Sequence, residues 1–193
     1  MDAHFRSPVP PWEIGHPQPR LVALAESGGF SGRVLEAGCG SGENTLMIAA
    51  TGLEVVGLDL DVSALARAQD EARRRGLGGR ATFRRFDIRN LAELGDLFDT
   101  AVDSLVFHGL DDAARRSYVA GLHAVLRPGG RLYVLCYSNR HVEPPDVPHK
   151  VSPADVQAAF SDGWAVTGIQ PTTSASNLHS DGVAAWLITC TRI

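Results

Sequence analysis

Three glycines at alternating positions, Gly38, Gly40 and Gly42, follow a short apolar run and precede a segment with helical spacing. Glycine permits positive φ and lets a ligand approach the backbone closely, while the start of a helix offers unpaired amide hydrogens. Because the loop follows a predicted strand and opens a predicted helix, it is typical of a ligand-binding loop. The alternative is a tight strand-to-helix turn that binds nothing.

The residue before this loop, Glu36, limits the class of ligand. Dinucleotide-binding loops place the third glycine three positions after the second, whereas Gly42 follows Gly40 by two. A carboxylate is unfavourable beside a pyrophosphate and favourable beside the ammonium of an amino-acid ligand, which it usually reaches through water or backbone. The spacing therefore favours a cofactor with an amino-acid end over a nicotinamide dinucleotide.

Two further acids end the next two predicted strands. Asp59 stands where this kind of fold places a carboxylate that accepts hydrogen bonds from ribose hydroxyls. Its alternative is a helix N-terminal acid, although Asp61 could be the true cap. Asp87 can accept from an exocyclic adenine amine while Ile88 packs on the ring, and its alternative is a loop cap.

The elements that must position these residues alternate along the chain between short apolar runs and helical spacing, which predicts βαβ units and a mostly parallel sheet. The predicted strands are residues 33–37, 54–59, 81–86, 98–106, 130–137, 164–169 and 183–191. The predicted helices are residues 43–50, 62–75, 111–125 and 152–160. Because no helix separates the last two strands, we expect them to be antiparallel neighbours at one edge.

Two irregular, proline-rich stretches could close over the carboxyl ends of the strands, where ligands bind in open α/β sheets. One is residues 7–19, within an N-terminal covering segment of residues 1–20. The other is an insert of residues 138–150, which follows the fifth predicted strand. We expect the insert to lie near an acceptor pocket.

Length and composition indicate one domain over residues 1–193, with 44% apolar residues and a net charge of −4. This charge argues against a large nucleic-acid interface. Three scattered cysteines favour a reducing cytosol over a disulfide framework, and no group has metal-ligand spacing. Residues 1–20 do not resemble a signal peptide, and no apolar run could span a bilayer. We expect a cytoplasmic monomer or homodimer.

In their order, these motifs resemble the class I S-adenosylmethionine-dependent methyltransferases over nearly the whole chain. Residues 36–42 resemble the family's first motif, Asp59 its ribose acid, residues 87–88 its adenine motif, and residues 126–130 the turn before its fifth strand. The resemblance implies S-adenosylmethionine as cofactor and an α/β, Rossmann-like three-layer sandwich with a seven-stranded, mostly parallel sheet and an antiparallel last strand. The cofactor-binding residues then expected are Trp12, Glu36, Gly38, Cys39, Gly40, Asn44, Asp59, Leu60, Asp87, Ile88 and Asp103.

A narrower resemblance begins at residues 11–19, which are similar to the N-terminal segment of small bacterial methyltransferases of the thiopurine and heterocyclic-toxin type. Halide and thiol methyltransferases share such a segment, and residues 42–45 also fit this group. The resemblance implies a small acceptor, often phenolic, heteroaromatic or thiol, with Trp12 covering cofactor and substrate. The alternative for Trp12 is a hydrophobic anchor that pins the N-terminus.

Methyl transfer needs a base only if the acceptor must lose a proton. His108, just after the fourth predicted strand, is the candidate catalytic base because an imidazole titrates near neutrality. Its alternative is a structural or substrate-shaping histidine. Asp103 is expected to face the methionine part of the cofactor, with a purely structural strand-end acid as the alternative. The candidate substrate-binding residues are Trp12, His16, His108, Tyr137 and His141. The alternative for His16 and His141 is an exposed loop histidine, and for Tyr137 it is a core residue.

The sequence therefore predicts a methyltransferase that acts on an O, S or N atom of a small, aromatic or heteroaromatic molecule, with no nucleic-acid or membrane partner and no metal. An RNA or protein methyltransferase is an alternative that the acidic balance opposes. A nicotinamide-dependent oxidoreductase is another, opposed by the glycine spacing. A cofactor-binding module without catalysis is the third, opposed by the two covering segments.

Overall fold

The computed structural model describes residues 10–140 and 150–193. The strands are β1 Val34–Ala37, β2 Val55–Asp59, β3 Ala81–Arg85, β4 Phe98–Ser104, β5 Leu126–Tyr137, β6 Trp164–Ser174 and β7 Val183–Arg192. The helices are α1 Pro19–Glu26, α2 Glu43–Ala50, α3 Val62–Arg74, α4 Asp112–Val125 and α5 Pro153–Ala159, with short 3-10 helices at Ile88–Glu93 and Phe107–Gly109. In this described part, no helix is both long and apolar enough to cross a bilayer.

The strands form one seven-stranded sheet in the order β3-β2-β1-β4-β5-β7-β6. Neighbours from β3 to β5 are parallel, whereas β7 pairs antiparallel with both β5 and β6. The predicted α/β sandwich and the antiparallel last strand are confirmed. The last two strands are neighbours as expected, with β6 at the edge and β7 between it and β5.

Alternating side chains of each strand supply two separate cores, which gives the molecule its three layers. On one face, Val34 of β1 packs in a cluster with apolar residues of α1, α2 and α3. On the other face, Leu35 packs with apolar residues of α4 and α5. Since both faces of β1 are covered, all four of its residues are buried, as its near-continuous apolar run predicts.

Three local features differ from the sequence prediction. The proline-rich N-terminal stretch runs into α1, which begins at Pro19, where the missing N–H is not needed. The glycine turn of residues 126–130 lies within β5 as an irregularity: Phe98 pairs with Leu126, but Thr100 already pairs with Arg131. Strand β6 continues beyond residue 169 to Ser174, because it pairs with β7 over this whole length.

Candidate active site

A cavity of about 320 Å³ lies at the carboxyl ends of β1, β2 and β4. At this point the chain order across the sheet changes direction, since β1 lies between β2 and β4. Open α/β sheets bind ligands at such a switch point. Four segments line the cavity: residues 10–18, the loop after β1, the end of β2 with the start of α3, and residues 104–106 after β4.

The loop after β1 is held by backbone hydrogen bonds to β2. The N–H groups of Gly38 and Cys39 both donate to the carbonyl oxygen of Leu58, each at 2.8 Å. Gly38, Gly40 and Gly42 all have positive φ, as expected of a loop that only glycine can build at low cost. Gly42 forms the N-cap of α2, so the helix begins at the cavity wall. Burial raises the pKa of the Cys39 thiol, which disfavours its reactive thiolate form.

Glu36 places a buried carboxylate beneath this loop. Glu36 is only 1% exposed, yet it is one of the residues that line the cavity. Oε1 accepts from Asn44 Nδ2 at 2.9 Å, and Oε2 accepts from the Thr45 hydroxyl. Burial raises the pKa of Glu36 to about 7, against the opposing effect of these hydrogen bonds. A cation that binds in the cavity would therefore stabilise the ionised form of Glu36, which burial disfavours.

Asp59 closes the cavity beside β2. Its Oδ2 accepts from the Gly40 N–H at 2.7 Å, and its Oδ1 accepts from the Asp61 N–H at 2.9 Å. Asp61 itself caps α3 by accepting from the N–H groups of Ser63 and Ala64. The prediction that Asp61 is the cap is confirmed, which leaves the Asp59 carboxylate facing the cavity. The neighbouring Leu60 is 51% exposed and does not line it.

Residues 10–18, here called the strap, cover the cavity from the N-terminal side. Trp12 and His16 both line it, although Trp12 remains 46% exposed. The strap is fixed by Gln18, which bonds to Asn44 and Ala175, and by Asn177, whose N–H donates to the carbonyl oxygen of Pro11 at 2.9 Å. Residues 10–18 are the described part of the predicted covering segment, and most of them line this cavity.

Asp103, at the end of β4, supports the far wall without reaching the cavity. It is fully buried, and its Oδ1 accepts from the N–H groups of Val106 and Phe107 while Oδ2 accepts from the Tyr118 hydroxyl at 2.8 Å. Burial raises its pKa to about 6. This geometry favours the structural alternative for Asp103 over a contact with the cofactor.

The turn that Asp103 holds contains the one non-glycine residue with positive φ among those described, Leu105, at 69°. Leu105 lines the cavity, and such strained positions concentrate at functional sites.

His108 and Tyr137 lie together behind this wall. Their ring centroids are 4.2 Å apart, and each residue is 6% exposed. Neither lines the cavity itself, although His108 is only two residues beyond Val106, which does. The structure therefore brings two predicted substrate residues into contact with each other. His141, the remaining one, lies outside the described residues.

Asp87 and Ile88 lie at the end of β3 and not on the described cavity wall. The Asp87 carboxylate accepts from the Arg89 N–H at 3.0 Å and forms an ion pair with its guanidinium. This ion pair lowers the pKa of Asp87. Ile88 packs against the core cluster that contains Leu91. In this geometry Asp87 has the loop-cap role that the sequence left open.

The structure thus brings eight of the predicted residues to the cavity wall or the strap: Trp12, His16, Glu36, Gly38, Cys39, Gly40, Asn44 and Asp59. Gln18, Thr45 and Asn177 were not predicted from the sequence. Thr45 could have been found, since it stands one helical turn into α2 beside Asn44. Gln18 and Asn177 gave no signal, because their partners lie far away in the sequence. Among residues 10–140 and 150–193, no cluster of metal-ligating side chains occurs.

Comparison with known proteins gives consistent matches. Residues 34–130 match a family model described as a methyltransferase domain. The chain is 36% identical over 170 residues to the 2-heptyl-1-hydroxyquinolin-4(1H)-one methyltransferase of Mycobacteroides abscessus, which covers 87% of this chain and 74% of that protein. It is 29% identical to thiocyanate methyltransferase 1 of Arabidopsis thaliana, over 89% of this chain and 74% of that one.

A solved structure concerned with conversion of a disulfide bond into a thioacetal group during echinomycin biosynthesis superimposes with a TM-score of 0.84. It is 33% identical, and the alignment covers 95% of this chain and 84% of that one.

Proposed function

Because the chain belongs to the class I S-adenosylmethionine-dependent methyltransferases, we propose that it methylates an oxygen, sulfur or nitrogen atom of a small aromatic or heteroaromatic molecule. The observation that carries this proposal is the strap, which covers the cavity at the carboxyl ends of the strands, where the acceptor must approach the cofactor, and so favours a small acceptor over a macromolecule. The relative from Mycobacteroides abscessus, named for a hydroxyquinolone substrate, supports the same acceptor class.

The residues of the cavity fit the cofactor. S-adenosylmethionine supplies an electrophilic methyl group on a sulfonium together with an amino-acid end and a nucleoside. The buried Glu36 carboxylate suits the ammonium, directly or through water, and Asp59 suits the ribose hydroxyls. The positive-φ loop of Gly38 and Gly40 leaves room for a ligand to approach the backbone.

The chain itself positions the reactants, excludes water from the cavity and supplies a proton acceptor. Trp12 and the rest of the strap limit access of water to the cavity, which strengthens electrostatic interactions inside it. His108 is the proposed base for acceptors that must lose a proton, with the tilted ring of Tyr137 packed against its imidazole to hold it. A thiolate acceptor needs no such base.

This difference tests the base role. We expect His108→Gln to lower kcat for a phenolic acceptor by more than about tenfold, within the usual range for a general base, and to leave thiolate methylation nearly unchanged. The matched control is His123→Gln, which replaces a histidine that packs on Trp164. Equal turnover of the phenol by His108→Gln and the unsubstituted protein would exclude the base role.

The function itself is tested by calorimetric titration with S-adenosylhomocysteine, using nicotinamide dinucleotides as controls. Micromolar binding of S-adenosylhomocysteine alone is expected. Hydroxyquinolines, phenols and thiols are then offered with labelled methyl donor, beside transfer RNA and protein extracts. Label in a small aromatic acceptor supports the proposal, whereas label only in RNA or protein would replace it with a macromolecular acceptor.

A further inference from the structure

Gln18 joins the strap to two elements that are far away in the sequence. Its side chain is 3% exposed, with Oε1 accepting from the Ala175 N–H at 2.9 Å and Nε2 donating to the Ala175 carbonyl oxygen at 3.1 Å. The backbone N–H of Gln18 donates to Asn44 Oδ1 at 2.9 Å. The strap is therefore bonded both to the loop between β6 and β7 and to the first turn of α2.

Backbone groups determine which way both amide side chains point. An N–H can only donate and a carbonyl can only accept, so Ala175 fixes the oxygen and nitrogen positions of the Gln18 amide. In the same way, the Gln18 N–H requires Asn44 Oδ1 on the strap side. The Nδ2 of Asn44 must then face Glu36, where it lies 2.9 Å from Oε1. A docked strap thus presents a hydrogen-bond donor to the buried carboxylate.

Glu36 receives donors on both of its oxygens when the strap is docked, from Asn44 and from Thr45. Hydrogen bonds to the charged form stabilise it over the neutral acid. Two further titratable groups face the carboxylate: Asp59, whose charge opposes ionisation, and the Cys39 thiol. Since burial and Asp59 both oppose the charge on Glu36, its state depends on the two donors.

We propose that Gln18 is a positioning residue that couples closure of the strap to the charge on Glu36, so that strap docking and cofactor binding stabilise each other. The coupling runs through Asn44. It rests on the proposed function, in which Glu36 faces the ammonium of the cofactor. Closure of the strap then does more than cover the ligand. It also orients the Asn44 amide, which donates a hydrogen bond to Glu36, the counter-charge of the cofactor's ammonium.

The loop between β6 and β7 provides an internal control. Asn177 holds the same strap, since its N–H donates to the Pro11 carbonyl oxygen and its Nδ2 donates to those of Pro10 and Glu13. No hydrogen bond between Asn177 and Asn44 or Glu36 is found among the described residues. Asn177→Ala should therefore loosen the strap without removing the connection through Asn44.

The test is a double-mutant cycle on the Kd of S-adenosylhomocysteine, measured by calorimetry at pH 8. We expect Gln18→Met to weaken binding by about tenfold and Glu36→Gln by about 30-fold. The double variant should bind about 30-fold to 50-fold more weakly than the unsubstituted protein. Loss of the Gln18 side-chain bonds to Ala175 should release the Gln18 backbone N–H from Asn44, so the second change acts on a connection that is already lost. Independent effects would instead multiply to about 300-fold.

The matched cycle combines Asn177→Ala with Glu36→Gln, and its effects should multiply. Multiplying effects in the Gln18 cycle as well would overturn the coupling and leave the cofactor site intact. If Gln18→Met fails to fold, Gln18→Glu replaces it, because its carboxylate still accepts from the Ala175 N–H. The effects of Gln18→Glu and Glu36→Gln on the Kd should then also combine to less than their product. Failure of the unsubstituted protein to bind S-adenosylhomocysteine would overturn the proposed function and the coupling together.

Discussion

The two sides of the cavity are held by contacts of very different range. On the side of β1 and β2, Glu36 bonds to residues 8 and 9 positions away, and Asp59 to a residue 19 positions away. On the strap side, Gln18 bonds to Ala175, which is 157 positions away. The first side can form as soon as one βαβ unit folds, whereas the second exists only when the whole sheet is assembled. The residues proposed to contact the cofactor are thus held by local geometry, whereas the strap is held by tertiary contacts.

The largest expected effect comes from the local side. A methyl group at Gly42 would lie 2.7 Å from Cε1 of Phe83 and 2.8 Å from Cβ of Ala68, and φ is +83° there. Ala68 is carried by α3 and cannot rotate away. We expect Gly42→Ala to lower the free energy of unfolding by about 4 kcal/mol, from overpacking and left-handed strain together. Urea unfolding measures it.

Gly40→Ala is the matched control for this change. Gly40 also has positive φ, but a methyl group there meets no atom within 4 Å. Its cost should be the backbone strain alone, about 1 kcal/mol. Similar losses for the two variants would mean that the loop is not tightly packed against α3 and β3, and the contrast between a rigid and a closing side would fail.

The same contrast decides what could be predicted from sequence. The glycine loop, Asp59 and the Asp61 cap could be predicted because they depend on neighbours in the chain. The apolar runs indicate which segments form buried strands. The seven-stranded sheet and the antiparallel β7 followed from the resemblance and from the missing helix between β6 and β7. The length of β6 did not, because it depends on pairing with β7 as far as Ser174.

Three residues have partners that the sequence pattern does not identify. Asp103 was expected at the cofactor, yet Tyr118 and the turn after β4 occupy its oxygens. Asp87 forms an ion pair with Arg89 that its position at a strand end does not reveal. Gln18 looked like one polar residue in a proline-rich stretch, and only the fold brings Ala175 to it.

The next largest effect is the loss of unfolding free energy that comes from burying the charged Glu36 carboxylate on the side of β1 and β2. Burial raises the pKa of Glu36 from 4.5 to about 7, so the folded state holds a proton that the unfolded state releases between these values. The free energy of unfolding should therefore fall as pH rises from 4.5 to 7 and level off above. Glu36→Gln should remove about 3 kcal/mol of this fall.

Urea unfolding of both proteins without cofactor, from pH 4.5 to 8, checks this difference. Taking the difference between the two proteins cancels the similar contribution of Asp103, whose pKa burial also raises. Parallel pH profiles would show that Glu36 titrates as an exposed acid and that the carboxylate costs nothing to bury. Glu36 would then be ionised throughout the neutral range, and its charge would not depend on its burial on the local side.

The smallest effect tests whether the far wall is held independently of the cofactor side. Tyr118 donates its hydroxyl to the buried Asp103 carboxylate, and Tyr133 donates its hydroxyl to the neutral carbonyl of Gly29, both at 2.8 Å. Hydrogen bonds to ionised acceptors are about twice as strong as neutral ones. At pH 8, Tyr118→Phe should cost about 2 kcal/mol of unfolding free energy and the matched Tyr133→Phe about 1 kcal/mol.

The two costs should converge at low pH, because the pKa of Asp103 is about 6 and its carboxylate is protonated at pH 5. Loss of a bond to the charged form matters only where that form exists, so the cost of Tyr118→Phe falls as pH decreases through 6 while that of Tyr133→Phe stays constant. The Kd of S-adenosylhomocysteine should change by less than about twofold in both variants, since neither tyrosine lines the cavity. A marked loss of affinity in Tyr118→Phe would show instead that the turn after β4 and the glycine loop act as one unit, and the division of the cavity into two independent sides would be wrong.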